Sequence, residues 1–193
     1  MRKLLLLLIS AAFFSCSTQK LEEQAKIDTF FDLEGTLDIV ITDLVEKRAR
    51  LHKKTTVNNE VEDVSLSFNS VEEWKSQLEL FYEADINKVG LGNNYRTETL
   101  QAFDGIEKTI HSAVNNKQFV KSIETSVRDG KLFTVRILAS DENFVYSIEN
   151  EFILYFNHFK KKLALDHFTI NTKEEMLFKK GLELKVEAQV VVD

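Results

Sequence analysis

Hydrophobic residues in the first third of the chain repeat at intervals close to the helical period. Between residues 21 and 53 they lie at Phe30, Leu33, Leu37, Val40, Leu44 and Leu51. This spacing places them in one stripe along a single long helix, with most charged residues off the stripe. The stripe makes fewer than about four heptads, so we expect it to pack on the protein's own core and not to form a coiled coil.

A polar segment and a second helix follow in the sequence. Residues 52–69 contain Asn58-Asn59 and several hydroxyl side chains, a composition typical of a loop. Ser70 and Glu73 then have the spacing of a capping box, and apolar residues at helical spacing follow them. The pattern therefore predicts a second helix that begins at Ser70 and ends near residues 84–87.

The pattern changes after Asn94 from a helical period to strict alternation, which is typical of β-strands. Short turn signals such as Asp104-Gly105 and Asp129-Gly130 separate the alternating segments. Connections this short leave no room for crossover helices, so we expect neighbouring strands to pair antiparallel. The predicted strands are 95–101, 106–114, 119–127, 131–140, 144–157 with a break, 162–171 and 182–192.

One predicted hairpin is apolar on both faces. A turn within residues 157–162 would pair 156 with 163, 154 with 165 and 152 with 167. One face then carries Phe152, Leu154, Phe156, Leu163 and Leu165, and the other carries Ile153, Tyr155, Ala164, Phe168 and Ile170. Such a sheet should be covered on both sides, by the helices on one side and by sheet curvature or an apolar cavity on the other. The same register places His167 opposite Phe152.

These patterns together predict an α+β fold. An N-terminal helical pair packs on a curled, mainly antiparallel sheet of about seven strands. The expected organisation is a single domain over residues 21–193, helical in 21–87 and a sheet in 94–193. No proline is present, so no proline-rich linker divides the chain.

Residues 1–15 have the pattern of a secretory signal peptide. Arg2 and Lys3 precede an apolar run of about ten residues, and small residues lead to a boundary before Cys16. At 1.5 Å per residue the run covers about half of the ~30 Å hydrocarbon thickness, which disfavours a permanent transmembrane helix. We therefore expect this segment to be removed from the mature protein.

The sequence FFSC at residues 13–16 resembles the lipobox of bacterial lipoproteins. The resemblance implies that the sulfur of Cys16 receives a diacylglycerol, that cleavage occurs before it, and that the new amine is acylated, for example with palmitate. Phe13 and Phe14 depart from the commonest pattern and resemble the relaxed lipoboxes of Bacteroidota. The alternative is an ordinary signal peptide with a chance cysteine. Residues 16–20 would be the lipidated N-terminus and tether, and Ser17 favours the outer membrane over the inner.

Charge and composition limit the partners of the protein. Its 31 acidic and 25 basic residues give a net charge of −6, so the chain has no basic field for nucleic acid. Cys16 is the only cysteine, so no intramolecular disulfide is available. Attachment to the membrane would depend on the lipid on Cys16. The expected location is the cell envelope, on either its periplasmic or its surface face.

The residues with catalytic or metal-binding chemistry form no recognised motif. The four histidines lie outside every metal-binding spacing, and no nucleophile elbow, phosphate loop or dinucleotide fingerprint occurs. We therefore predict no catalytic residue, no metal and no cofactor. The segment FYEADINK, residues 81–88, is similar to one in Bacteroidota lipoproteins. Asp85 and Asn87 within it offer oxygens to a cation, but a helix C-terminus explains them more simply.

The function expected from the sequence is non-enzymatic. The favoured hypothesis is a lipid-anchored envelope lipoprotein that binds a partner protein or an apolar ligand. A helix-backed, curled sheet is similar in architecture to the half-barrels of lipoprotein carriers such as LolA and LolB, which gives a lipid carrier as the alternative. An envelope hydrolase is the third hypothesis. The predicted core or apolar-ligand face comprises Phe133, Phe152, Leu154, Phe156, Leu165 and Phe168.

Overall fold

The computed structural model describes residues 29–101 and 104–192, and in these residues it has three helices and nine strands. The helices are α1 (Leu33–Glu46), α2 (Val71–Gln77) and α3 (Glu79–Glu83). The strands are β1 (Arg50–Val57), β2 (Glu60–Ser67), β3 (Tyr95–Gln101), β4 (Ile106–Ala113), β5 (Val120–Arg128), β6 (Lys131–Glu142), β7 (Tyr146–Phe159), β8 (Lys162–Met176) and β9 (Lys179–Val191).

All nine strands form one open antiparallel sheet. Its order is β2-β1-β9-β8-β7-β6-β5-β4-β3, so each strand from β3 to β9 pairs with its neighbour in the chain. The first hairpin, β1–β2, joins the sheet through β9. The predicted α+β class with helices on an antiparallel sheet is therefore confirmed, whereas the expected number of about seven strands is too small.

Helix α1 is shorter than the sequence pattern indicated. It begins after Asp32, whose side chain accepts a hydrogen bond from the Gly35 amide, and it ends at Glu46. Arg48 has a φ of 51°, a left-handed conformation that stops the helix. The predicted continuation to residue 53 is wrong, because the apolar residue Leu51 belongs to strand β1. The predicted start, residues 21–28, lies outside the described residues.

The segment predicted as a loop, residues 52–69, is mostly a β-hairpin. Strands β1 and β2 pair over eight residues each, from Arg50 opposite Ser67 to Val57 opposite Glu60. Asn58 and Asn59 form the two-residue turn with φ values of 47° and 77°. Asparagine tolerates this left-handed conformation, which two-residue hairpins of this type require. The domain half predicted as helical therefore contains two strands.

The second predicted helix is confirmed at its start. The Ser70 hydroxyl accepts from the Glu73 amide, and the Glu73 carboxylate accepts from the Ser70 amide, which completes the capping box. The helix is divided at Leu78 into α2 and α3. Its apolar side buries Trp74, Leu78 and Phe81 completely.

The β7–β8 hairpin has a different register from the one predicted. Phe156 pairs with Leu165 and Tyr155 pairs with His167, so Asp166 is an extra residue that forms a β-bulge. One extra residue in a strand moves every side chain beyond it to the opposite face of the sheet. Phe168 and Ile170 therefore lie on the same face as Phe152, and His167 lies opposite Tyr155 instead of Phe152. The prediction of two fully apolar faces is wrong for this hairpin.

The helices cover one face of the sheet, which we call the helix-covered face. Phe81 of α3 packs on Phe152 and Phe168 with ring centroids 5.7 Å apart in each pair. Leu37 and Ile41 of α1 are fully buried in the same core. By strand alternation the other side of the sheet carries residues such as Tyr155, His167 and Lys185, and we call it the helix-free face.

Candidate functional site

The described chain begins with a short segment that is held firmly by the domain. The Phe30 amide donates to Oδ1 of Asn87 at 3.0 Å, and Nδ2 of Asn87 donates to the carbonyl of Phe31 at 2.9 Å. The Phe31 amide donates to Nε2 of His111 on strand β4 at 3.2 Å. We call Phe30, Phe31, Asn87 and His111 the N-terminal clamp. It holds the start of the described chain against the domain.

The contacts of His111 define its protonation state. Because Nε2 accepts from the Phe31 amide, the ring is neutral and carries its proton on Nδ1, which donates to Oγ1 of Thr97 at 2.8 Å. Burial lowers the pKa of His111 below its ordinary value. A protonated ring could not accept from Phe31, so acidification opposes closure of the clamp.

Aromatic contacts complete the clamp. The Phe30 ring packs edge-on against Tyr95 and His111, with centroids 5.7 and 5.4 Å apart. The Tyr95 hydroxyl donates to the carbonyl of Val120 at 2.9 Å. Burial raises the pKa of Tyr95 to about 12, so its hydroxyl remains a donor at neutral pH. The arrangement positions a chain segment and contains no activated nucleophile.

The structure gives Asp85 and Asn87 a structural role. Oδ1 of Asp85 accepts from the Asn87 amide at 3.1 Å, which orients Asn87 toward Phe30 and Phe31. Both residues are buried. Within residues 29–101 and 104–192, no group of three or more His, Cys, Asp or Glu side chains could hold a metal ion. The helix-terminus interpretation of this segment has more support than the cation interpretation.

A broad groove of about 500 Å³ lies on the helix-free face. It crosses the sheet from Leu138 on β6 to Thr56 on β1, and the turn residues Asn58 and Asn59 form part of its wall. Its charged lining alternates in sign, and its charged members are Glu149, Glu151, Lys173, Glu183 and Lys185. The groove therefore offers closely spaced donors and acceptors to a polar ligand or a protein surface.

Glu151 is held in the groove by two neighbouring side chains. Its Oε1 accepts from Nε of Arg136 at 2.7 Å, and the guanidinium also approaches through its second nitrogen at 2.6 Å. Nδ2 of Asn171 donates to Oε2 at 3.3 Å. Both guanidinium contacts go to the same carboxylate oxygen, Oε1, and Asn171 holds Oε2, so Glu151 has a defined orientation on the floor of the groove.

Five of the six residues predicted as a core or apolar-ligand face lie in the packed core. They are Phe152, Leu154, Phe156, Leu165 and Phe168, each with at most 4% of its surface exposed. Phe133 is separate from them. It is the extra residue at an irregularity in the β5–β6 pairing, and its ring lies 5.4 Å from the guanidinium carbon of Arg128. Cys16, the predicted lipidation site, lies outside the described residues.

His167 lies on the helix-free face in a polar setting. Its Nδ1 is 2.6 Å from Oδ2 of Asp166, and its ring stacks on Tyr155 with centroids 4.0 Å apart. The carboxylate and the phenol ring fix the orientation of the imidazole. Its neighbours across the strands are Tyr155 on β7 and Gln189 on β9.

The clamp and the groove were not found from the sequence. Asn87 and His111 are 57 and 80 residues from the segment they bind, and no local pattern links them. The groove forms because alternation places polar residues of β1, β9, β8 and β7 side by side. Its only sequence signal is the polar set of alternate positions in β9, such as Glu183 and Lys185.

No protein-family model matches this chain, and no curated protein is significantly similar to it. In the part of the chain that the structure describes, none of the helices is both long and apolar enough to cross a membrane.

Proposed function

We propose that the protein is a lipid-anchored protein of the cell envelope that binds a partner protein through the helix-free face of its sheet. The anchor rests on the lipobox-like sequence that ends at Cys16. The binding face rests on the groove, which is the observation that carries the proposal. The role is non-enzymatic and needs no cofactor, and the location is the outer membrane.

The two faces of the sheet differ in how their side chains are used. On the helix-covered face Phe81 packs on both Phe152 and Phe168, and all three side chains are buried. On the helix-free face the side chains of Asn171, Lys173 and Lys185 line the groove. A face of mixed charge and amide groups suits a polar protein surface, because interfaces gain specificity from complementary polar contacts.

The apolar-ligand form of the proposal and the carrier alternative similar to LolA and LolB have less support. A lipid carrier needs a concave apolar surface large enough for acyl chains. The aromatic residues that the carrier hypothesis assigned to that surface, including Phe152 and Phe168, are buried against the helices. Native mass spectrometry of protein extracted from membranes distinguishes these functions, because a carrier retains lipid in addition to its covalent anchor.

Site-specific photo-crosslinking in cells tests the binding face. A photoreactive amino acid at Lys173 or Lys185, on the groove, should give a discrete crosslinked species with one protein. The matched control is Glu72, an exposed position on helix α2 at the other side of the sheet. Crosslinks from Glu72 but not from the groove positions would show that the partner binds the helices and would contradict the proposal.

A further inference from the structure

Two adjacent turns at one end of the sheet expose a concentrated set of large apolar side chains. The β6–β7 turn carries Phe144 and Val145, which are 90% and 53% exposed. The β8–β9 turn carries Leu177 and Phe178, which are 55% and 85% exposed. We call these four residues the apolar turn pair. Single exposed apolar residues are ordinary, but four on neighbouring turns require an explanation.

The backbone of the turn pair is already hydrogen-bonded within the protein. The Leu177 amide donates to the carbonyl of Val145 at 3.0 Å, which joins the two turns. Oδ1 of Asn143 accepts from the Val145 and Tyr146 amides at 2.8 and 3.1 Å. The Asn143 amide donates to the carbonyl of Tyr146 at 2.8 Å. Amides bonded in this way avoid most of the cost of entering a medium without water.

We propose that the apolar turn pair inserts into the lipid bilayer to which the protein is anchored. This inference rests on the proposed anchor at Cys16. The four side chains could bury roughly 500 Å² together, which is less than the ~800 Å² per partner of a typical stable protein interface. A membrane needs no such minimum area here, because the anchor already holds the domain at the surface and makes insertion an intramolecular event.

The length of the N-terminal segment permits this contact. The 14 peptide units between Cys16 and Phe30 reach at most about 50 Å when extended. Strand pairing aligns His111, at the clamp, with Phe152 on β7, three strands away. Phe144 lies eight residues before Phe152, so the turn pair is about 30 Å from the clamp by strand spacing and rise. The anchor can therefore reach the bilayer that the turns would enter.

The charges around the turn pair are slightly acidic. They are Lys173, Lys179 and Lys180 against Asp141, Glu142, Glu174 and Glu175. Lys173 and Glu175 pair directly at 2.7 Å. Such a set has little attraction for anionic lipid, so the apolar side chains supply the binding and uncharged phosphatidylcholine is a suitable probe.

Tryptophan fluorescence in brominated vesicles tests the insertion. The lipidated full mature chain is reconstituted into phosphatidylcholine vesicles with and without brominated acyl chains, carrying either Phe178→Trp or Phe144→Trp. The single native tryptophan, Trp74, is fully buried and provides a constant background. Both substituted positions are highly exposed, so the changes should not disturb folding. We expect the new emission to shift to shorter wavelength and to be quenched by the brominated lipid.

The matched control is Phe159→Trp. Phe159 is 60% exposed at the opposite end of strand β7, roughly 50 Å from Phe144 by strand rise, so its emission should show neither shift nor quenching. Quenching of Phe159→Trp alone would show that the other end faces the bilayer and would overturn the proposal. If all variants float with the vesicles but none is quenched, the turn pair stays outside the membrane and a protein partner for it is favoured. If no variant floats, the anchor fails together with the insertion.

Discussion

Replacing Asn87 by alanine tests whether the N-terminal clamp is structural. The change removes the acceptor for the Phe30 amide at 3.0 Å and the donor to the Phe31 carbonyl at 2.9 Å. Each hydrogen bond contributes about 0.5–1.5 kcal/mol, and leaving partly buried groups unpaired adds to the loss. We therefore expect Asn87→Ala to lower the free energy of unfolding by about 2–3 kcal/mol.

Urea denaturation followed by circular dichroism measures this loss, and the slope of the transition should be unchanged. Asn94→Ala is the matched control, because the Asn94 side chain, on the following loop, makes a long 3.4 Å bond to the Gly90 carbonyl. It should change the free energy by less than about 0.5 kcal/mol. A similarly small effect for Asn87→Ala would refute the clamp. An effect that appears only when calcium is added would instead support a cation site.

Two further predictions concern the core and the clamp histidine. Phe81→Ala should lower the free energy of unfolding, measured by urea denaturation, by about 3–5 kcal/mol, because Phe81 is fully buried against Phe152 and Phe168. A loss as small as that of the exposed control Phe119→Ala would contradict this packing. The lowered pKa of His111 means that the unfolded chain binds this proton first as pH falls. The free energy of unfolding should therefore decrease below about pH 6.5 by at most ~1.4 kcal/mol per pH unit, and His111→Gln should remove this part of the slope. An equal dependence of the free energy of unfolding on pH in the wild type and in His111→Gln would contradict this role of His111.

The strands of the second half of the chain were predictable because alternation and turn residues agree there. Predicted strands such as 95–101 and 131–140 coincide with β3 and β6 to within two residues at each end. The first hairpin was missed because its strands lie at or beside the edge of the sheet and carry mostly polar side chains. Leu51 also fits the helical spacing of the preceding apolar residues, so the start of β1 was predicted as part of the helix. Asn58-Asn59 was the available signal, since two asparagines between equal segments favour a tight turn.

Two other features depended on information that no local pattern contains. The bulge at Asp166 reverses the facing of Phe168 and Ile170, and a single extra residue has no signature in the alternation of a mostly apolar strand. The clamp joins positions 57 and 80 residues apart, which only the completed sheet brings together. Sequence reasoning therefore located the apolar residues correctly but assigned some of them to the wrong face.

The most direct test of the proposed lipid anchor is the intact mass of the protein extracted from membranes. We expect a chain that begins at Cys16 and carries a diacylglycerol with a further acyl chain on the amine. Cys16→Ser should abolish the added mass and release the protein from the membrane fraction. An unmodified chain, or one that begins at another residue and still fractionates with membranes after Cys16→Ser, would contradict the account.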